Sequence, residues 1–168
     1  AAGAIEVEVS DGRVFKGSHL LMAVGRKTNT EKLNLEAAGI ETTHSGIRVD
    51  DGLRTSNRRV YAIGDVAGGL QFTHVAGYHA GVIIRSRLFG LPSKAKTAHS
   101  PWATYTDPEW GKVGMTQAQA QEAHGDKLEV VRFDYHHNDR AIAERKTKGF
   151  IKVMVVKGRP VGASVVGY

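Results

Sequence analysis

Asp65 is the residue whose setting in the sequence most directly indicates chemistry. It follows an apolar run, Val60 to Ile63, and a single glycine, Gly64. An acid directly after a buried strand lies at the carboxyl edge of a sheet, where open α/β folds bind ligands. Its carboxylate is costly to bury without donors, and sugar-like hydroxyls are suitable ones. The pattern predicts a ligand-binding acid, and an acid that only forms a turn gives the same pattern.

A helix is predicted shortly after this acid, from about Thr73 to Phe89, because Val75, Tyr78 and Val82 recur at helical spacing. Its first backbone N–H groups, near Gln71 to His74, have no partner within the helix and point outward with the positive end of its dipole. Such an end favours an anion or a group that gains negative charge. An ordinary turn between a strand and a helix explains the same residues without a ligand.

Small residues within this helix predict a close contact. Ala76, Gly77, Ala80 and Gly81 lie about one turn apart, and glycine costs about 1 kcal/mol relative to alanine in a helix interior. The spacing therefore indicates that a flat ligand or another backbone approaches this face, with packing as the simpler of the two causes.

The histidines do not indicate a metal site. His74 and His79 are five positions apart, which does not place them on one helix face. His136 and His137 are adjacent, and adjacent residues of a strand point to opposite faces. All four are expected to be surface residues, and no metal is predicted.

Composition excludes several other function classes. The 168 residues contain no cysteine, which excludes disulfide scaffolds, thiolate zinc sites and thiol nucleophiles from this chain. Ser164 is followed by Val166 where a nucleophile elbow needs a glycine. The net charge is +6, but the basic residues are scattered and only 7% of residues are aromatic, so nucleic-acid binding is not predicted. Since the chain has no apolar run of membrane-spanning length and no signal-peptide pattern, we expect no membrane association and a cytoplasmic location.

The remaining elements divide into two patterns. The first part has a hairpin at Asp11-Gly12 and an apolar run, Leu20 to Val24, that predicts a strand buried on both faces. After a linker at 90–97, strands and one helix in sequence predict an α+β unit with an antiparallel sheet. Its predicted elements are a strand at Trp102–Thr106, a helix capped by Thr116 that reaches Ala123, a strand at Leu128–Tyr135, and a hairpin of Phe150–Val156 with Val161–Val166.

Five collinear motifs resemble one enzyme family. Thr55 to Asp65 (TSNRRVYAIGD) resembles the second FAD-binding motif of the pyridine nucleotide-disulfide oxidoreductases, flavoproteins that include dihydrolipoamide dehydrogenase, glutathione reductase and mercuric reductase. Ala23 to Asn29 (AVGRKTN) resembles their Ala-x-Gly-Arg-x-Pro-Asn stretch, with Thr28 in place of proline. The other three motifs are similar to parts of the family's dimerisation domain: Tyr105–Thr116, Asn138–Ala141 and Gly162–Gly167.

The resemblance implies a mixed α/β and α+β fold in three parts. Residues 1–29 would be the end of an NAD(P)-binding domain, 30–95 a strand–helix segment of the FAD domain, and 96–168 a dimerisation domain, truncated at its C-terminus, with an antiparallel sheet. The hairpin at 150–166 would then lack a covering helix, which predicts an exposed apolar face with Ile151, Val153 and Val155.

The resemblance also implies the cofactors and the residues that hold them. Asp65 would bind a ribityl hydroxyl of FAD. The backbone of Gln71, Phe72, Thr73 and His74 would line the pyrimidine end of the flavin, where reduction adds negative charge. Gly25 would lie beside NAD(P). The stretch from Leu70 to Ala76 looks closest to mercuric reductases and their dihydrolipoamide-dehydrogenase-like relatives.

Parts of the family pattern are missing from the sequence. It has no Gly-x-Gly-x-x-Gly fingerprint, no redox-active cysteine pair and no terminal His-Glu pair. We therefore expect a fragment of a homodimeric enzyme that passes electrons from NAD(P)H through FAD to a cysteine pair and to a disulfide, dithiol or mercuric substrate. The fragment by itself would hold no catalytic residue and be inactive. The alternative is a non-catalytic dimerisation or interaction module without bound flavin.

Overall fold

A short hairpin begins the part of the chain that the structure, a computed structural model, describes, which is residues 4–168. Strands β1 (Ile5–Glu8) and β2 (Val14–Gly17) pair antiparallel. The turn between them contains Gly12 at a φ of 84°, a left-handed conformation that glycine adopts without a steric cost. The hairpin predicted at Asp11-Gly12 is therefore confirmed.

Two apolar runs that were predicted to be buried strands are not strands. Leu20 to Val24 has no regular structure, and Leu21 and Val24 are 86% and 88% exposed. Val60 to Ile63 makes only an isolated bridge between Tyr61 and Arg54. A continuous apolar run forms a strand when neighbouring strands pair with it, and within residues 4–168 neither run belongs to a hydrogen-bonded sheet.

The core of the first part lies beneath the segment that leads to Asp65. It is formed by Ile40, Ile47 and Ala62, against which Leu35, Val49, Val60, Val66 and Ala67 pack. Strands β3 (Thr42–Thr43) and β4 (Gly46–Ile47) form a two-stranded sheet over it. Strand β4 is only two residues long, and both of its residues are buried.

Helix α1 (Thr73–Ile83) follows the 3-10 turn Gly64–Ala67 and continues into a π-helical turn, Ile84–Leu88. Together these segments confirm the predicted helix from about Thr73 to Phe89. The apolar face of α1 is buried through Val75 and Val82.

The second part contains a five-stranded antiparallel sheet in the order β5-β6-β9-β8-β7, which confirms the predicted antiparallel unit. Two short helices accompany it, and α2 packs against β7, β8 and β9. The bounds are β5 (Trp102–Thr104), β6 (Glu109–Gly114), α2 (Gln117–His124), β7 (Leu128–Asp134), α3 (Asp139–Ala143), β8 (Phe150–Val156) and β9 (Arg159–Gly167). Strand β6 and helix α3 were not predicted.

The sheet has one face covered by a helix and one apolar face. On the covered face Met154 is fully buried, as is Ala120 of α2. Directly opposite residues of antiparallel strands share a face, so the register places the following residues together on the other face, here called the open sheet face: Val113, Val131, Phe133, Ile151, Val153, Ala163 and Val165.

The predicted exposure of the hairpin is only partly right. Ile151, Val153 and Val155 are half-buried instead of exposed, because β8 lies between β7 and β9. The larger exposed apolar side chains of the open sheet face are on the edge strand β7, at Val131 and Phe133.

Thr116 caps α2, as predicted from the sequence. Its hydroxyl accepts a hydrogen bond from the Gln119 amide at 3.2 Å, and the Gln119 side chain accepts one from the Thr116 amide at 2.9 Å. Replacing Thr116 with alanine should lower the free energy of unfolding by about 1 kcal/mol. Urea denaturation measures this, and Thr116→Ser, which keeps the hydroxyl, serves as the control. An equal loss in both variants would show that the cap is not the cause.

The linker predicted at 90–97 is held to α1 and to the first part. The Tyr78 hydroxyl donates to the Lys94 carbonyl at 3.2 Å and accepts from the Lys96 amide at 2.9 Å. Between them, the Ala95 amide donates to the Asp51 carbonyl at 2.8 Å. The segment has no helix or strand at 91–96, yet its backbone is fixed at three consecutive residues.

Candidate functional site

The turn that presents Asp65 is built on glycine. Gly64 has a φ of 68°, and a methyl group there would lie 3.0 Å from the Ala76 Cβ of α1. The turn closes through a hydrogen bond of 3.1 Å from the Gly68 amide to the Asp65 carbonyl. Only glycine fits both the backbone conformation and the packing against α1. Gly64 therefore fixes the position from which the Asp65 side chain projects.

The Asp65 carboxylate faces the guanidinium group of Arg26. One oxygen lies 3.8 Å from Nη1 of Arg26, and the Asp65 side chain is 51% exposed. The same Arg26 nitrogen donates to the Gln71 carbonyl at 3.1 Å. Arg26 thus connects the acid to the segment that enters α1, while the carboxylate stays open to solvent and to a ligand.

An open cleft of about 420 Å³ lies beside this acid. It combines a carboxylate with cations and with hydroxyl and amide groups, which suits a ligand rich in hydroxyls. The residues that line it are Arg26, Lys27, Thr28, Asn29, Asp65, Val66 and Gln71.

The N-terminus of α1 lies next to the cleft. The residue before the helix, Phe72, offers no side-chain acceptor to the first turn. Gln71 and Phe72 are half-buried, whereas Thr73 and His74 are exposed. The first amides of α1 therefore stay available to an acceptor from outside the helix.

The side chain of Phe72 points toward the sheet. Its ring stacks on His74 at a centroid distance of 5.4 Å and on Trp102 at 6.2 Å. Trp102 in turn contacts Trp110 edge-on at 5.3 Å. These contacts occupy the Phe72 ring, so this residue has only its backbone to offer to a ligand at the helix N-terminus.

His79 is a contributor to the site that the sequence did not indicate. It was expected at the surface, but it is only 5% exposed. Its Nδ1 accepts a hydrogen bond of 3.1 Å from the Gly64 amide. Burial lowers the pKa of this histidine below its usual value, which favours the neutral form that such an acceptor requires. Sequence spacing could not identify it, because its partner is a backbone amide on another element.

Gly25, which was predicted from the sequence as a cofactor-binding residue, does not line the cleft. It is exposed, has a φ of 137°, and no atom lies within 4 Å of the position of a side chain there. It precedes Arg26, so it lies near the cleft without lining it. Its proposed contact with NAD(P) stays a prediction.

The small residues of α1 do not all mark a close contact. Gly77 and Gly81 have no described atom within 4 Å of the position of a side chain, so no backbone of residues 4–168 approaches them closely, and the approach of a ligand there stays a prediction. The close approach occurs at Ala76, which packs against Gly64.

Two further findings concern the described part of the chain only. Residues 4–168 hold no group of three or more histidine, cysteine or acidic residues that could ligate a metal ion. No helix among them is long and apolar enough to cross a membrane.

Comparison with known proteins gives the family. Residues 1–80 match the family model described as pyridine nucleotide-disulphide oxidoreductase, and residues 100–168 match the dimerisation domain of the same family. The chain belongs to this family. Its members use FAD and NAD(P)H, and the mixed α/β fold with antiparallel sheets is the one found in its solved flavoprotein disulfide reductases.

The similar proteins of this oxidoreductase family include two enzyme types. The chain is 35% identical over 154 residues to dihydrolipoyl dehydrogenase of Bacillus subtilis, with 90% of the chain and 33% of that protein covered. It is 40% identical over 153 residues to mercuric reductase of Lysinibacillus sphaericus, with 89% and 28% covered. The chain thus spans about a third of the length of the curated relatives it matches.

Two solved structures superpose on nearly the whole chain. The HOCl-induced flavoprotein disulfide reductase RclA from Escherichia coli gives a TM-score of 0.83 at 31% identity, covering 98% of this chain and 38% of that one. LpdA from Mycobacterium tuberculosis gives a TM-score of 0.86 at 30% identity, covering 99% and 37%.

Proposed function

We propose that this chain supplies the ribityl-binding acid and the dimerisation unit of an FAD-dependent NAD(P)H:disulfide oxidoreductase. The observation that carries the proposal is the half-exposed Asp65 carboxylate, held on a glycine-containing turn beside an open cleft and the N-terminus of α1. The proposed parts are those expected from the sequence: the end of an NAD(P)-binding domain at 1–29, an FAD-domain segment at 30–95 and a dimerisation domain at 96–168.

The groups around the cleft fit the corresponding part of FAD. A carboxylate accepts hydrogen bonds from sugar-like hydroxyls, and an ionised acceptor makes a stronger bond than a neutral one. Amides at a helix N-terminus stabilise negative charge that develops nearby. Asp65 would hold a ribityl hydroxyl, and the backbone of Gln71, Phe72, Thr73 and His74 would face the pyrimidine end of the flavin.

Arg26 completes the proposed arrangement from the other side of the cleft. Because it contacts both Asp65 and the Gln71 carbonyl, it connects the acid to the segment that enters α1. Gly25, next to it, would leave room for the nicotinamide cofactor.

The proposed electron path needs groups beyond this sequence. FAD, when bound, supplies a carrier for the two electrons that pass from NAD(P)H to a cysteine pair and on to a disulfide, dithiol or mercuric substrate. The chain has no cysteine, so its own residues would bind and orient the flavin and hold the subunits together. A cytoplasmic location and the lack of nucleic-acid or membrane partners stay predictions.

Titration of FAD into the chain tests the flavin site directly. Flavin fluorescence should change on binding, and the change should saturate. A Thr97→Ala variant, altered on the linker away from the cleft, should bind FAD as the unaltered chain does. If the folded chain shows no saturable binding, the proposed flavin site is wrong and the dimerisation module without flavin becomes the better proposal.

Self-association is the second function we propose, and the open sheet face supports it. Its side chains are apolar across strands β6 to β9, and exposed apolar patches of this kind mark interaction surfaces. The family's dimerisation domain matches this part of the chain. The proposed partner is a second copy, giving a homodimer.

Opposite faces of β7 offer a matched test of this surface. Val131 is on the open sheet face and Val130 on the face of α2, and both are partly exposed. Val131→Lys should shift the chain from dimer to monomer in analytical ultracentrifugation, because a buried unpaired lysine opposes association. Val130→Lys should leave the dimer intact. A monomeric unaltered chain at high concentration would contradict this proposal.

A further inference from the structure

The hydrogen bond between His79 and Gly64 has a consequence for the residue that follows. Gly64 is held by three constraints: its left-handed backbone, its contact with Ala76, and the bond from its amide to Nδ1 of His79 at 3.1 Å. The first two are steric and independent of pH. The third depends on the protonation state of a side chain, and it lies immediately before Asp65.

We propose that His79 is a positioning residue for flavin binding: its unprotonated Nδ1, by accepting the Gly64 amide, fixes the backbone from which Asp65 reaches the ribityl hydroxyl. The inference rests on the proposed flavin site. His79 is not among the residues that line the cleft, and it would act through the turn Gly64–Ala67.

The hydrogen bond from the Gly64 amide determines the protonation state of His79. An amide donates only to a nitrogen with a free lone pair, so Nδ1 is unprotonated and the proton of the neutral ring is on Nε2. Protonation of Nδ1 would place two N–H donors face to face in a buried site, and an unsatisfied buried donor is costly. The Gly64 amide would then lose its partner.

The titratable neighbours of His79 include Tyr78 and Asp65. Tyr78 lies next to it on α1, with ring centroids 6.1 Å apart, and Asp65 is on the turn that packs against α1. The lowered pKa of His79 is caused by burial, and no charged group of the described residues contributes to it. The neutral ring is therefore maintained by exclusion from water.

The direction of the pH effect follows from this lowered pKa. The folded state favours neutral His79, so its contribution is fully present above the pKa of an unfolded histidine and is lost as pH falls through the folded pKa. Flavin affinity should follow the same course, with the turn ordered at neutral pH and loosened in acid.

Two amide substitutions separate positioning from simple burial. In His79→Asn the Oδ1 oxygen can occupy the place of Nδ1, whereas in His79→Gln the corresponding oxygen lies nearer the place of Nε2. Both side chains are polar and uncharged, and neither titrates. A role that depends on the acceptor at Nδ1 is therefore kept by asparagine and lost by glutamine.

The experiment measures FAD affinity of the whole chain and both variants between about pH 5 and about pH 8. At neutral pH we expect His79→Asn to match the unaltered chain and His79→Gln to bind about tenfold more weakly. In acid the unaltered chain should lose affinity while His79→Asn keeps it. Equal affinity and equal pH profiles in all three proteins would overturn the inference and leave the flavin site standing.

Amide hydrogen exchange at Gly64, measured without flavin, provides the independent readout. Protection should be high in the unaltered chain and in His79→Asn, low in His79→Gln, and should fall in acid for the unaltered chain alone. If the Gly64 amide is equally protected in His79→Gln, the positioning role is wrong. If the amide behaves as expected but the chain binds no FAD, the proposed flavin site fails and its use of this turn fails with it.

Discussion

Asp65→Ala should weaken FAD binding by the chain about ten- to a hundredfold, because the variant removes a charged hydrogen-bond acceptor and such bonds contribute about 1.5–3 kcal/mol. The loss should appear in affinity and not in stability. The Asp65 side chain is half exposed and packs against no core residue, so its removal leaves no cavity. Fluorescence titration with thermal unfolding of the same samples distinguishes the two effects.

Two control variants separate the effect of the charge at position 65 from the effect of removing an acid elsewhere in the chain. Asp65→Asn keeps the shape of the side chain and one acceptor oxygen, so its FAD affinity should lie between that of the unaltered chain and that of Asp65→Ala. Asp126→Ala removes an exposed acid from a turn of the second part and should leave FAD affinity unchanged. If Asp126→Ala weakened binding as much as Asp65→Ala, the effect would come from net charge and the proposed role of Asp65 would be wrong.

Met154→Ala should destabilise the chain by about 2–5 kcal/mol, the usual loss when a large buried side chain is shortened to alanine. Met154 is 0% exposed at the middle of β8, with β7 and β9 on its two sides and α2 over it. The neighbour on β9, Gly162, has no side chain that could move to fill the space. Urea denaturation followed by circular dichroism measures the loss.

Another methionine provides the matched control. Met22 is 69% exposed in the segment without regular structure. Met22→Ala deletes the same side-chain atoms as Met154→Ala, but at an exposed position, so it should change the free energy of unfolding by less than about 0.5 kcal/mol. Similar losses in the two variants would mean that the sheet core is not where the stability of the second part lies.

Local signals in the sequence predicted the elements that depend on local chemistry. The turn at Asp11-Gly12 and the cap at Thr116 involve residues within a few positions of each other, and both are confirmed. The apolar run at Leu20 to Val24 failed as a prediction because a buried strand depends on pairing with strands that are distant in the sequence. Apolarity alone does not supply them.

The difference between local and long-range contacts also explains which residues of the candidate site could be predicted from the sequence. Asp65 could be predicted because the signal, an acid after an apolar run and a glycine, lies in consecutive residues of the sequence. Arg26 and His79 could not, because Arg26 bonds to Gln71, which is 45 positions away, and His79 to Gly64, 15 positions away. Such contacts form only when the fold brings separate segments together.

The fixed segment between α1 and the sheet bears on how the two parts of the chain meet. A free connector would sample many conformations, and closing it to form the Phe72–Trp102 stack would carry an entropy cost that grows with its length. Here the backbone at Lys94 to Lys96 is already tied to Tyr78 and Asp51. The effective local concentration of Trp102 near Phe72 is correspondingly high. The stack therefore joins the sheet to the residue that precedes α1 at a low cost in backbone entropy.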